Sequence, residues 1–245
     1  MYSQTTMSSY NNQEYSPKIV IPQRISKNRK PGEYPDTPSL FKTKNNILII
    51  HACKFLKAFD NEEGIRALVL DGKEMRTTNT LRNLGNKIKS IDIVEINNET
   101  FINMKKQCLN DKKIHFFNCH INDYITNYNN PKTNVAYFDI MSTFLSSEKS
   151  FGSDFVINEF LKQSKVDEII LAATFCLRCP SKMSFEIHKR QIKILLNKIF
   201  EFNGFIGKIL VPEEELKYKG QNGPNNSMMF VAYYLERNNF NEIDN

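Results

Sequence analysis

Short apolar runs alternate with helical patterns from residue 66 to residue 235, and this alternation limits the possible folds more than any other feature of the chain. Strands are predicted at 66–70, 90–96, 114–119, 134–138, 168–174, 205–211 and 228–235. Helices are predicted at 40–59, 78–84, 98–109, 154–163 and 184–200. This order predicts an α/β fold with a mostly parallel sheet and helices on both faces. The last two strands are joined only by a polar loop, so we expect them to form an antiparallel hairpin.

The length and composition of the chain fit one folded domain preceded by a polar N-terminal arm. The chain has 245 residues, of which 40% are hydrophobic, and a domain usually takes about 100–200 residues. Residues 1–36 lack apolar periodicity, and the basic residues between 18 and 30 have no acid among them. We therefore predict a flexible basic arm at 1–36, a folded domain at 37–237 and a disordered tail at 238–245.

Composition also limits the compartment and the partners. No apolar run approaches the roughly 18–20 residues that span a bilayer, and the N-terminal residues do not resemble a signal peptide. The five cysteines are irregularly spaced, which is typical of reduced thiols. An intracellular protein, cytoplasmic or nuclear, with no membrane segment is expected. The net charge of +6 is compatible with a nucleic-acid partner.

Polar residues follow the predicted strands at the carboxyl edge of the sheet, where open α/β sheets bind ligands. These candidate site residues are Asp71, Gly72, Lys73, Glu74, Glu95, Ile96, Asn122, Asp123, Asp139 and Arg178. A glycine after the first strand allows the backbone to approach a ligand, and an acid about 20 residues later can accept both ribose hydroxyls of a nucleoside. Gly72 and Glu95 are 23 residues apart, so we predict a nucleoside site. The alternative is that these carboxylates only cap helices or face solvent.

The order of the strands, the terminal hairpin and the acids after strands two and four resemble the class I, Rossmann-like, S-adenosylmethionine-dependent methyltransferases. The resemblance covers about residues 40 to 237 and implies a seven-stranded sheet with S-adenosylmethionine as cofactor. By the same resemblance, the loop 71–78 would approach the methionine part of the cofactor. Glu95 would hold the ribose, Asp123 the adenine amino group, and Asp139 would lie beside the transferred methyl group.

The chain departs from the family pattern at two places. Its loop after strand one has a single glycine, where the family usually has two or three. The sequence after strand four, from Asp139 to Ser142, lacks the two prolines typical of amino-directed nucleic-acid methyltransferases and the Pro-Cys of cytosine-directed ones. A catalytically silent, methyltransferase-like partner subunit therefore remains the alternative. A dehydrogenase that binds NAD would need a Gly-x-Gly-x-x-Gly loop, which residues 71–78 lack.

Two further sets of residues bear on catalysis. Ribose 2′-O-methyltransferases, which the chain also resembles, use a Lys-Asp-Lys-Glu set, for which the candidates are Lys54 or Lys57, Asp139, Lys182 and Glu236. Such matches also arise by chance among 27 acids and 33 bases. Arg178 follows Phe175 and could contact a base or phosphate, or form an ordinary ion pair. Cys176 and Cys179 are interpreted as reduced thiols, since the chain lacks a four-ligand pattern, and no metal is expected. Together these features predict a methyltransferase acting on RNA or DNA.

Overall fold

The fold is seen in a computed structural model that describes residues 40–144, 152–176, 185–211, 217–219 and 227–238. The predicted arm, Arg178, Cys179, Lys182 and the tail beyond residue 238 lie outside these ranges, and of residues 217–219 only the backbone is described. The predicted domain limits at 37 and 237 therefore stay predictions.

The sheet has strands β1 to β8, all within the described ranges. They are β1 Ile65–Val69, β2 Ile88–Val94, β3 Ile114–Phe117, β4 Val135–Thr143, β5 Glu168–Cys176, β6 Phe205–Ile209, β7 Lys217–Lys219 and β8 Ser227–Arg237. Their order is β3-β2-β1-β4-β5-β8-β6, and β7 pairs with β8. The first five strands pair in parallel, while β8 is antiparallel to both β5 and β6. The predicted parallel sheet with a C-terminal antiparallel hairpin is confirmed, with β8 inserted between β5 and β6.

Seven α-helices are described, two before β1 and five between successive strands. They are α1 Leu40–Cys53, α2 Lys57–Asp60, α3 Arg76–Arg82, α4 Asn98–Gln107, α5 Ile121–Asn127, α6 Ser153–Gln163 and α7 Phe185–Phe202. From β1 the chain proceeds to β2 and β3 in one direction and then to β4 and β5 in the other. Because parallel crossovers are right-handed, the connecting helices lie on opposite faces of the sheet. Helix α1 packs on α3, while α5, α6 and α7 contact one another in succession.

The central strands are buried as expected for a sheet covered on both faces. Every residue from Ile169 to Phe175 in β5 is inaccessible to solvent. On the α6 side, the rings of Phe138 and Phe160 meet edge to face with 5.5 Å between their centroids. Within the described ranges, no helix combines the length and apolarity that crossing a membrane requires.

The helix predicted at 40–59 is broken, and a buried carboxylate explains why. Residue Leu56 is extended and buried between α1 and α2. The carboxylate of Glu168, at the start of β5, accepts a hydrogen bond from the freed amide of Lys57 at 2.7 Å. Burial raises the pKa of Glu168, but the amide and side chain of Lys57 outweigh burial and the net shift is downward. Breaking the helix therefore satisfies a carboxylate that the sheet buries.

Helix α5 is not among the helices that the sequence predicts. Its buried residues are Ile121, Tyr124 and Ile125, which are spaced as one face of a helix. The hydroxyl of Tyr124 donates to buried Asp92 of β2 at 2.6 Å. Tertiary contacts therefore stabilise a short helix that propensity alone disfavours.

Candidate functional site

Three carboxylates lie at the same level of three adjacent strands, in β4 and just after β1 and β2. Val69 of β1 pairs with Ile93 of β2 and with Tyr137 of β4. Two residues after these three come Asp71, Glu95 and Asp139, respectively. Neighbouring strands are about 4.8 Å apart, so Asp71 lies between the other two acids. The strand order reverses at β1 and β4, which is where open α/β sheets bind ligands. The structure therefore brings together the three acids that the sequence predicted for one site.

Asp71 holds the loop after β1 in place. Its carboxylate accepts hydrogen bonds from the backbone amides of Gly72 at 3.2 Å and Thr78 at 2.8 Å. Burial raises the pKa of Asp71, the backbone bonds oppose this shift, and the nearby Asp139 charge adds to it. Because its oxygens bond to the loop itself, Asp71 organises the amides that a ligand would meet.

The glycine-poor loop keeps a tight turn by placing Met75 in the left-handed region, with φ of 50°. This conformation favours glycine, and a larger residue adopts it at a cost of roughly 1–2 kcal/mol. The Met75 amide donates to Gly72 O at 2.8 Å, and the Met75 side chain is buried. A Cβ on Gly72 would meet nothing within 4 Å, so this side of the loop is open. Lys73 and Glu74 are exposed at its tip.

Glu95 and Ile96 directly follow β2. One Glu95 oxygen accepts from the Asn97 amide at 2.6 Å. Burial raises the pKa of Glu95, the amides of Asn97 and Ile96 oppose the shift, and the Asp71 charge adds to it. The Ile96 side chain is 59% exposed, and Asn118 of the next connection donates to the carbonyls of both Glu95 and Ile96. A carboxylate beside an exposed apolar side chain suits a sugar with an attached flat ring.

Asn122 and Asp123 lie in the first turn of α5, on the connection after β3. The Asn122 amide donates to the ring of His120 at 3.2 Å, while its buried side-chain oxygen has no partner among the described residues. Asp123 is exposed. Both residues are thus at the ligand edge of the sheet, in the first turn of a helix that follows β3.

Asp139 is paired with Lys42, a residue that the sequence interpretation missed. The Lys42 Nζ lies 2.6 Å from Asp139 Oδ2. Burial lowers the pKa of Lys42, but the Asp139 carboxylate raises this pKa by more, so the net shift is upward. Lys42 therefore stays protonated and is not available as a general base. A helix that precedes a parallel strand runs antiparallel to it, so the first turn of α1 lies at the ligand edge. That rule would have identified Lys42 from the sequence.

The other members of the Lys-Asp-Lys-Glu hypothesis lie elsewhere. Lys57 pairs with Glu168 at 3.1 Å, and Glu168 is the first residue of β5, at the edge opposite the candidate site. Glu236 is aligned with Glu168 across β5 and β8. Lys54 follows the C-terminal end of α1, away from Lys42. Lys42 therefore stands where Lys54 or Lys57 was expected.

The inner face of α1 is polar where it covers the site. Asn45 and Asn46 are both buried, and the Thr77 hydroxyl lies 3.3 Å from the Asn46 side-chain oxygen. The Asn45 Nδ2 atom has no hydrogen-bond partner in the described part of the chain. These asparagines contribute polar groups that strand-end reasoning does not find.

The expected aromatic edge beside Arg178 is not present as predicted. Phe175 is fully buried, and its ring packs 5.1 Å from the ring of Phe144. It is therefore unable to stack on a base, and Arg178 itself lies outside the described residues. Among the residues that the structure describes, no group of three His, Cys, Asp or Glu side chains could hold a metal ion.

Several solved structures share this fold. The chain is similar to a proposed transferase from Pyrococcus horikoshii (TM-score 0.54, 11% identity, 82% of this chain and 65% of that one). It is also similar to TYW2 from M. jannaschii in complex with AdoMet (TM-score 0.52, 13% identity, 81% and 77%). TYW2 from P. horikoshii in complex with MeSAdo gives a TM-score of 0.50 at 13% identity (82% and 64%).

The fold is that of the class I methyltransferases. No family model and no curated protein matches the sequence. The chain spans less than two thirds of the length of the two Pyrococcus proteins. Fold alone does not fix activity, which depends on the residues of the site itself.

Charge is the clearest property of that site. Within the described residues, Asp71, Glu95 and Asp139 lie at the ligand edge, where Lys42 pairs with Asp139, and Arg76 forms a 2.6 Å ion pair with Glu74 on the loop after β1. With the exposed Asp123 and Lys73, the described edge carries five acids and three cations, an acidic surplus of two charges. A cationic ligand is therefore favoured here, and a dianionic pyrophosphate is disfavoured.

Proposed function

We propose that this chain is an S-adenosylmethionine-dependent methyltransferase that acts on nucleic acid. The observation that carries the proposal is the row of Asp71, Glu95 and Asp139 at the strand-order reversal of a class I methyltransferase fold. Neighbours of similar fold include TYW2 proteins in complex with AdoMet or MeSAdo.

The residues present fit this cofactor in charge and in shape. S-adenosylmethionine carries a sulfonium, an ammonium and a carboxylate, and its net positive charge suits the acidic surplus of the site. The loop amides held by Asp71 would meet its methionine part, and the Glu95 carboxylate would accept its ribose hydroxyls. The exposed Ile96 side chain would offer an apolar surface to its adenine ring, and Asn122 and Asp123 would supply polar groups near that ring.

When bound, the cofactor supplies an electrophilic methyl group. The protein's own contribution is to hold an acceptor in line with that group and to exclude water. Asp139 lies in β4, the strand next to the loop after β1, and Lys42 fixes its carboxylate with a charge-assisted bond. No covalent intermediate with the protein is needed.

The nucleic-acid target is supported by the charge of the whole chain and not by the described site. The net charge is +6, and the basic residues 18–30 contain no acid. Because the described ligand edge is acidic, we propose that the basic N-terminal segment and Arg178 supply the phosphate contacts. The predicted intracellular location is part of this proposal.

Calorimetry with S-adenosylmethionine tests the first part. Saturable heat with a 1:1 stoichiometry is expected for the folded protein. A folded protein that gives no heat would be the silent partner subunit, and the enzyme proposal would be abandoned.

Transfer of a tritiated methyl group to mixed RNA and DNA tests the second part. Incorporation that falls steeply with added salt supports a nucleic-acid acceptor. Cofactor binding without transfer to either polymer contradicts it.

A further inference from the structure

Strand β6 forms one edge of the sheet. It pairs with β8 on one side, and within the described part of the chain no strand pairs with it on the other. Large apolar side chains on β6 and at the end of α7 are exposed: Phe202 is 81% exposed, Ile206 55% and Ile209 39%. Sheet edges are usually protected by prolines, bulges or charges, and β6 carries a single charge, on Lys208. Such an edge is a surface on which another strand can pair.

The backbone of β6 presents hydrogen-bonding groups to this open side. The amide of Leu210 donates to Ala232 O of β8, in the register that joins the two strands. Because the hydrogen bonds of successive residues in a strand point to opposite sides, the even-numbered residues of β6 bond to β8. The N–H and C=O groups of Phe205, Gly207 and Ile209 therefore point away from β8, out from the sheet edge.

We propose that β6 pairs with β6 of a second copy of this chain, antiparallel and about a two-fold axis at Gly207. In this register Gly207 lies opposite Gly207 of the second copy, Phe205 opposite Ile209, and Ile206 opposite Lys208. The odd-numbered residues form three hydrogen-bonded pairs, and since each pair exchanges two bonds, about six backbone bonds join the copies. A two-fold contact of this kind uses the same surface on both copies and closes at a dimer. The inference goes beyond the proposed function and does not depend on it.

Charge complementarity favours this register over its neighbours. Lys208 and Glu236 are exposed, and Ile206 is aligned with Glu236 across β6 and β8. When Ile206 of the second copy lies opposite Lys208, Glu236 of that copy is next in the same row, two strand spacings or about 10 Å from Lys208. Extended lysine and glutamate side chains bridge that distance, and the symmetry forms the pair twice. A shift by two residues either sets Lys208 directly opposite Lys208, which is repulsive, or moves it away from Glu236.

The face of β6 under α7 also fits a second copy. A Cβ on Gly207 would lie 2.6 Å from the Phe200 ring, so Gly207 faces α7, as do Phe205 and Ile209 two residues to either side. Phe205 is 1% exposed, whereas Ile209 is 39% exposed. Beside Phe205 of the second copy, Ile209 would continue the apolar row beneath α7 across the edge and lose its contact with water.

The dimer leaves the two candidate sites apart. Strand β6 is parallel to β5, because both are antiparallel to β8. The strands of the second copy run in the opposite direction, so the two ligand edges face opposite ways. The site at β1 and β4 is separated from β6 by β5 and β8. Changes at β6 should therefore alter the oligomeric state and leave cofactor affinity as it is.

Sedimentation equilibrium of the full chain tests the proposal. A mass of twice the 28.6 kDa of one chain is expected. Lys208→Glu turns two attractive pairs into two repulsive ones and should weaken the dimer at least about tenfold. Adding Glu236→Lys exchanges the two charges and should restore the dissociation constant to within about threefold. The control is Lys106→Glu, the same change at an exposed position of α4, which should leave the dimer unchanged.

Folding of each variant is checked by circular dichroism. If Lys208→Glu does not fold, Ile206→Lys replaces it, because this change sets two ammonium groups opposite each other. A parent chain that is still monomeric at about 100 μM overturns the proposal. So does a dimer that Lys208→Ala strengthens, because Lys208 would then hold the edges of two copies apart.

Hydrogen exchange, read at single amides, locates the interface. In the dimer the amides of Phe205, Gly207 and Ile209 should be protected, and dilution below the dissociation constant should release them. The amides of Ile206 and Lys208 bond to β8 within one chain, so they should stay protected at both concentrations. A dimer in which the three odd-numbered amides exchange as fast as in the monomer uses another surface, and the proposed pairing would be wrong.

Discussion

Glu95 offers the sharpest test of the nucleoside site, because its bond to the Asn97 amide can be separated from its predicted bond to a ribose. Its carboxylate accepts from the Asn97 amide at 2.6 Å, which fixes the turn into α4, and it retains lone pairs for a ribose. A hydrogen bond to a charged group is worth about 1.5–3 kcal/mol. Loss of one such bond to the cofactor in Glu95→Ala should therefore weaken binding about 10- to 150-fold.

Glu95→Gln is the matched variant, since it keeps an acceptor for Asn97 but loses the charge. Burial raises the pKa of Glu95, and Asp71 adds to the shift. A raised carboxylate pKa contributes stability that is present below the ordinary pKa and is lost as pH rises through the raised one. At neutral pH the neutral glutamine variant should therefore be at least as stable as the parent, yet bind the cofactor more weakly.

Titration calorimetry with S-adenosylmethionine and urea unfolding at pH 7 measure the two effects. The affinity of the parent should fall as pH is lowered through the raised pKa of Glu95, and the affinity of Glu95→Gln should not show this step. Parent-like affinity in Glu95→Ala would mean that Glu95 does not hold the ribose, and the nucleoside site would lose its main support.

Three further predictions concern turnover, pH and backbone strain. Asp139→Asn should reduce kcat more than cofactor affinity, as measured by methyl transfer and calorimetry, because the residue lies at the acceptor end. Glu168→Gln should cost about 1.5–3 kcal/mol in urea unfolding at pH 7. That difference should shrink as pH falls, because the pKa of Glu168 is lowered and its contribution is lost on protonation. Gly64→Ala, at φ +61° with a Cβ 2.7 Å from Lys87 O, should destabilise more than Gly85→Ala, at φ +62° in open space, in the same assay.

The strand-end part of the site was predictable because the sheet itself fixes it. Each of Asp71, Glu95 and Asp139 directly follows an apolar run, and parallel pairing then aligns the three runs. The same periodicity identified the α/β fold and the terminal hairpin, which the structure confirms. What each acid does for a ligand stays a prediction, since strand order sets its position and not its role.

The remaining features of the fold and site depend on contacts between residues far apart in the sequence, which the hydrophobic pattern does not reveal. The pattern from 40 to 59 predicts one helix, and its break at Leu56 follows from a bond to Glu168, 111 residues away. The strand pattern places Phe175 at the carboxyl edge of the sheet, yet its ring packs against the ring of Phe144 and is buried. Short helix α5 forms because Tyr124 reaches Asp92. Each difference reflects a tertiary contact that outweighs a local preference.

The two halves of the candidate site therefore carry different kinds of information. Asp71, Glu95 and their strand ends belong to the general design of open α/β sheets, so they indicate a nucleoside but not a reaction. Helix α1 lies outside that design, and it contributes Lys42, which contacts Asp139, and Asn45, which is buried three residues further along the helix. A change in the strand-end residues should alter cofactor affinity, whereas a change on α1 should alter which acceptor is methylated and how fast. Residues on the inner face of α1 should consequently determine the acceptor specificity of this chain.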